Sequence, residues 1–227
     1  MKVQTAELST CVETIERHFH GILAELETMR GLLVELFDQG PVDSAVARAQ
    51  IEPHVRGFLA TADIVGAGYV AARNALSDEP LYLAWWQGDD QQLLAESDAP
   101  GTGDPLDYTR HPWFRTPERT GQPYVTGPYV DFVCTDEYVM TSTAPVISRG
   151  SMVGVVGADT LVETLEGLLL PSLRSADATL VNDQGRTVVS ADPHLATGSL
   201  LDLSTYAEVV PCRDLPMSVV RRERPVD

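Results

Sequence analysis

The feature that most constrains this chain is a stripe of apolar residues near its start. Leu8, Val12, Ile15, Phe19, Ile22, Leu26, Met29, Leu33 and Leu36 follow an unbroken spacing of four and three, which winds onto one side of an α-helix as a heptad seam of about four repeats. Gly40 and Pro41 end the pattern in the order expected of a helix C-terminus. Such a seam has to be covered, because Gly21 and Gly31 each weaken a free-standing helix by about 1 kcal/mol. Two covers fit. One is a second copy of the chain in a coiled-coil dimer, which is preferred; the other is the chain's own sheet and next helix.

Residues 43–62 are expected to form a second helix with Val46, Ala49, Val55, Phe58 and Leu59 inward, kinked or divided at Pro53. After Asp63 the texture changes to short β-rich runs at 64–72, 81–87 and 93–96. Asp, Pro and Gly then dominate 97–112, a loop leading to Trp113 and a short helix around 117–119. The run 124–132 is interrupted by Gly127 and Pro128, whereas 138–147 and 151–159 make a hairpin around Arg149-Gly150. A helix over 160–173, a hairpin over Asp183-Gln184-Gly185 and an edge strand at 217–220 complete the pattern. The order predicts an α+β fold: a long N-terminal helix and a second helix packed on a mostly antiparallel sheet of five to six strands. The expected division is a helical segment, 1–62, and a sensor-sized domain, 63–227.

With 33 acidic against 16 basic residues the net charge is −17, a field that repels phosphate backbones and anionic membrane surfaces. Direct nucleic-acid and membrane partners are therefore not expected, and Arg221, Arg222 and Arg224 read as a solvated tail. Cys11, Cys134 and Cys212 lack ligand spacing, which suits a reducing compartment. No run reaches the roughly 18 to 20 apolar residues of a membrane span and no signal peptide opens the chain, so the expectation is a cytoplasmic protein.

Chemistry-bearing side chains gather between Tyr108 and Asp159: Tyr108, Arg110, Trp113, Phe114, Tyr129, Asp131 and Asp159 are the types that hold a small cationic or zwitterionic molecule. Two carboxylates in one site are costly unless a cation lies between them, and a ligand ammonium meets that need. Tyr108, Tyr129 and Trp113 offer an aromatic wall worth about 0.5 to 2 kcal/mol to a cation. Arg110 suits a carboxylate bidentately, with His111 as a weaker, pH-dependent substitute. Bland alternatives stand beside these. Asp159 is placed to cap the helix after it, Asp131 is a turn residue, and the rings are core. Thr141 and Thr143 share one face of their strand, and of Trp85 and Trp86, on opposite faces, only one can line a pocket.

The long first helix, Pro112-Trp113-Phe114, Pro128-Tyr129-Val130-Asp131, Ala144-Pro145-Val146, the run Gly154 to Asp159 and the run Leu180 to Arg186 together resemble the Cache family of small-molecule sensors, whose fold is PAS-like. The likeness covers residues 1 to about 195. It implies that Trp113, with Phe114 beside it, and an arginine hold a ligand carboxylate, while Tyr129, Asp131 and Asp159 hold its amino group. The arginine does not match: His111 stands directly before the Pro-Trp pair, and Arg110 one residue earlier.

The expectation is thus a dimeric sensor of an amino acid or amine, without cofactor or metal, that signals to a separate output protein such as a regulator; the rival class is a structural heptad-helix interaction protein without a ligand. Its ligand residues are Tyr108, Arg110, His111, Trp113, Phe114, Tyr129, Asp131, Thr141 and Asp159. The loop 97–113 would close over the ligand and the first helix would shift. An enzyme would have to use the same acids, or Cys134 as nucleophile, and nothing beyond residue type supports either.

Overall fold

The computed structural model describes residues 2–97, 108–131 and 137–222, without the side chains of 2–6 and 95–97. Helices α1 (Lys2–Gln39) and α2 (Ser44–Thr61) precede three strands, β1 (Gly66–Ala71), β2 (Tyr82–Gln87) and β3 (Gln92–Ser97). A 3-10 turn, Tyr108–Arg110, leads into α3 (Pro112–Thr120), and β4 (Tyr124–Asp131), β5 (Glu137–Ser148), β6 (Ser151–Leu161) and α4 (Val162–Ala176) follow. The chain ends in β7 (Ala178–Asn182), β8 (Thr187–Ser190), β9 (Glu208–Pro211) and β10 (Met217–Arg221).

The strands form a six-stranded sheet in the order β3-β2-β1-β6-β5-β4 and a four-stranded sheet in the order β8-β7-β10-β9. The six-stranded sheet under long N-terminal helices is the expected α+β, PAS-like fold; the second sheet adds to it. Arg149 (φ 51°) and Gly150 (φ 81°) turn β5 into β6, both in the left-handed region that a two-residue hairpin turn demands. The expected edge strand is β10, and it lies inside its sheet, paired on one side with β7 and on the other with β9. The short β9 carries no apolar alternation that would announce it.

The chain divides into two compact units. Gly21–Val125 with Thr141–Asp159 form one unit; the residues before Gly21, Thr126–Met140 and those from Thr160 onward form the other. In the first unit one face of the six-stranded sheet is roofed by helices. Ile22, Leu26, Met29, Leu33 and Phe37 of α1 and Ala47, Ile51, Val55 and Phe58 of α2 pack with Ala67, Tyr69, Ala84, Trp86, Ala144, Val156 and Ala158. The heptad seam is therefore spent inside the chain, with Ile15, Phe19, Leu26 and Leu33 fully buried. A coiled-coil dimer through that seam is excluded, because the positions that would meet a second helix already meet this chain's own side chains.

Two details of α2 differ from expectation. Val46 and Ala49 face outward, and Pro53 leaves the helix unbroken. Pro53 and Ala49 are both on the exposed side, where water can satisfy the carbonyl that proline leaves without a donor. Asp43 caps α2 by accepting from the Val46 N–H at 2.8 Å.

In the second unit α4 buries Leu165, Leu169 and Leu173. The Cys11 thiol on α1 is hydrogen-bonded to Ser172, with burial raising its pKa, and burial, then Glu16, pushes the Cys212 thiol up to about 12. Arg221 is buried, with its guanidinium Nε donating to Glu208 at 2.6 Å and a second ion pair to Glu7 at 3.8 Å. It is not part of a solvated tail; β10 carries it inward, where an unpaired guanidinium would be costly. Arg222 lies over the Tyr206 ring at 5.3 Å. Among the described residues no helix is long and apolar enough to cross a membrane.

Candidate ligand-binding site

The face of the six-stranded sheet turned away from α1 and α2 carries glycines at its centre. Alternation along β1 sends Ala67, Tyr69 and Ala71 to the helices and so Gly66 and Gly68 to the opposite face. The register sets Gly66 beside Asp159 and Gly68 beside Gly157 on β6, with Gly68 beside Trp85 on β2. Three glycines thus strip side chains from the middle of this face.

Trp85 fills part of the space they leave. A Cβ at Gly66 would collide with Trp85 Nε1, and one at Gly157 would meet Trp85 Cη2 at 3.3 Å and Thr143 Cγ2 at 3.2 Å. The indole therefore spans β1 from Gly66 toward Gly157. Its neighbour Trp86 is fully buried in the helix-roofed core. The two tryptophans therefore face opposite sides of the sheet.

Asp159 lies on this open-faced side and is 6% exposed. Its carboxylate Oδ1 accepts from the Thr141 hydroxyl at 2.6 Å. The capping alternative does not hold: β6 continues through Leu161, which is the N-cap of α4 and makes no side-chain capping bond. Two further strand residues separate Asp159 from the helix. A carboxylate accepts about four hydrogen bonds, so the bond from Thr141 leaves Asp159 able to accept others.

The aromatic group is assembled by the segment from the 3-10 turn to α3. Pro112 starts α3, where its fixed φ and missing N–H cost nothing, and Gly121 closes it with φ of 67°. Tyr108 is buried; its hydroxyl accepts from the Tyr82 N–H at 2.8 Å and donates to the Ala71 carbonyl at 2.9 Å. That hydroxyl holds the turn to the ends of β1 and β2, while the ring stacks with Trp113 at 6.4 Å. His111 also stacks on Trp113, at 5.7 Å and 13°, and Phe114 meets it edge-on at 6.1 Å. The Thr143 hydroxyl donates to the Trp113 carbonyl at 2.9 Å. Since Thr143 flanks Gly157, this bond anchors the aromatic segment over the same side of the sheet as Asp159.

The structure thus brings Tyr108, His111, Trp113, Phe114, Thr141 and Asp159 into one unit. His111 and Arg110 are both exposed, and of the two it is His111 whose ring contacts Trp113. Tyr129, half-buried, and Asp131, 8% exposed, stand on β4 in the other unit. There the carbonyl of Gly127 accepts from Asn182 Nδ2 at 2.7 Å. Residues 98–107 of the expected closing loop and Cys134 lie outside the described residues. Trp85 and the glycine floor were legible only in part, as a Trp-Trp pair and a Gly-x-Gly spacing without an assigned face.

Comparison with known proteins agrees with this architecture. The family described as methyl-accepting chemotaxis protein-like, first PDC sensor domain, matches residues 51–167, a little over half of the chain. The methyl-accepting chemotaxis protein TlpQ of Pseudomonas aeruginosa is 31% identical over 148 residues, 53% of this chain. The matched stretch is only about a fifth of that receptor's length, 20%. The sensory domain of the Campylobacter jejuni chemoreceptor Tlp3 superposes with a TM-score of 0.73 at 16% identity, covering 99% of this chain and 93% of that one. The ligand-binding domain of the Pseudomonas fluorescens chemoreceptor CtaA, in complex with L-valine, gives 0.67 at 17% identity, over 100% and 98%. At these identities the superpositions speak for the fold.

Proposed function

Since the chain belongs to the family of methyl-accepting chemotaxis protein-like first PDC sensor domains, it is a sensor module rather than an enzyme, and we propose that it binds a small amino acid or amine. The observation that carries this reading is the buried Asp159 carboxylate, held by Thr141 on a glycine-floored face beside the stacked rings of Trp113, Tyr108 and His111. A buried carboxylate attracts an ammonium, and the L-valine held by CtaA makes α-amino acids the first class to test. An amine-binding role for Tyr129 and Asp131 is a separate proposal, tested by Asp131→Ala: parental affinity would remove it. A thermal-shift screen of the common L-amino acids, polyamines and carboxylates tests the reading, because a compound at 100 times its Kd adds about 2.7 kcal/mol of stability. No shift from any of them sinks it.

In the proposed pose the carboxylate of an amino acid lies toward the Arg110–Trp113 segment. Arg110→Ala is then expected to weaken amino acids several-fold and leave carboxylate-free amines unchanged, read by calorimetric titration. Equal effects on both would show that Arg110 does not meet the carboxylate.

The proposal extends to output, assembly and compartment. Occupancy is passed through α1 to a separate regulatory protein, and spin-label distances along α1 that stay unchanged at saturation would remove that route. A homodimer is part of the proposal, through a surface other than the seam, which is buried in the chain's own core. Sedimentation velocity decides it. A cytoplasmic placement predicts that an alkaline phosphatase fusion, active only outside the cytoplasm, stays inactive. The net charge of −17 argues against direct nucleic-acid contact.

A further inference from the structure

We propose that Trp85 is a specificity-determining ligand contact, whose indole N–H donates to the α-carboxylate of a bound amino acid. The inference rests on the amino-acid reading of this site and adds a donor that the motif positions Arg110, His111 and Trp113 do not supply.

Three observations lead to it. Trp85 is 5% exposed, and among the described residues its Nε1–H has no hydrogen-bond partner. A buried donor without an acceptor is destabilising, and a buried tryptophan N–H ordinarily finds one. Second, the location is specific: Nε1 lies within clash distance of the place a Cβ of Gly66 would take, and Gly66 is the register partner of Asp159. Neighbouring strands are about 4.8 Å apart, so the indole N–H, lying against Gly66, is roughly one strand spacing from the backbone of Asp159, on the same face. Third, the ring lies along the glycine floor as far as Gly157, beside Thr143, whose hydroxyl carries Trp113 above the same face.

A donor and an anion on one face match the two charged ends of an α-amino acid. Its ammonium and carboxylate are joined through a single carbon, so an ammonium on Asp159 brings a carboxylate oxygen within reach of the indole N–H. The bond would be charge-assisted, hence among the stronger ones. Trp85 thereby favours zwitterions over simple amines: an amine satisfies Asp159 and leaves the N–H unpaired. The glycine floor has a role in this. Any side chain at Gly66 would occupy the place of the N–H, and none could be added without moving the indole.

The test compares Trp85→Phe with the parent chain by calorimetric titration. The probes are the L-amino acid with the largest thermal shift in the screen, L-valine being tried first, and the primary amine that lacks its carboxylate, isobutylamine for L-valine. The expected result is about a ten- to hundredfold loss of affinity for the amino acid, the usual scale for one hydrogen bond to a charged group, with affinity for the amine unchanged. Unchanged amino-acid affinity, or equal loss for both probes, overturns the role of Trp85 while leaving amino-acid binding standing. Failure of every amino acid to bind the parent chain overturns the proposed function and this inference with it. Should Trp85→Phe not fold, the indole N–H resonance of Trp85 in the 15N-labelled parent chain decides. It is expected to move downfield with the amino acid and not with the amine; a resonance that stays in place with both overturns the proposal.

Discussion

Replacing Asp159 by alanine is expected to remove ligand binding. The carboxylate is buried in β6 and already committed to the Thr141 hydroxyl, so an ammonium placed there would be desolvated and would depend on it. Truncating one partner of a buried, hydrogen-bonded charge pair costs about 2 to 5 kcal/mol, which is about 30-fold to several thousandfold in Kd. Asp159→Asn is the cleaner variant, since it keeps the volume and an acceptor for Thr141 while discarding the charge. Calorimetric titration of both variants with the best amino acid of the screen is the measurement. Binding of the asparagine variant at parental affinity would remove the ammonium role.

The second large effect concerns stability. Trp86→Ala is expected to cost about 3 to 5 kcal/mol, the usual range for truncating a fully buried aromatic, against a total of about 5 to 15 kcal/mol for a typical domain. Trp86 is fully buried where α1 and α2 meet the sheet, so the cavity would open at the centre of that core. The midpoint of urea unfolding at unchanged slope measures it. A shift no larger than that of a surface substitution, about 0.5 kcal/mol or less, would mean that the core does not depend on this ring. Adjacent tryptophans then separate cleanly, one tested by unfolding and the other by ligand discrimination.

How much of this was legible in the chain depends on the kind of signal. The heptad spacing from Leu8 to Leu36 found α1 because a buried stripe repeats with the helix period whatever covers it. For the same reason it could not name the cover, and the preferred dimer seam proved to be the chain's own core. Arg149-Gly150 found its hairpin because turn geometry is a local property. Pro53 misled, since the cost of a helical proline depends on whether water reaches the freed carbonyl. Asp159 before a helical pattern looked like a cap, a reading that failed only because β6 runs two residues further.

The sequence by itself determined the element types and order, the clustering of aromatic and acidic residues, and the charge that argues against a nucleic-acid role. These follow from periodicity, turn chemistry and composition, which act within a few residues. Only the tertiary structure decided which strand face is roofed by helices, that Gly66, Gly68 and Gly157 share the other one, and that the Trp85 N–H and the Asp159 carboxylate flank the same glycine. Those facts depend on strand register between segments about a hundred residues apart, as Gly66 is from Asp159, and a one-residue slip would have sent every one of these side chains to the opposite face.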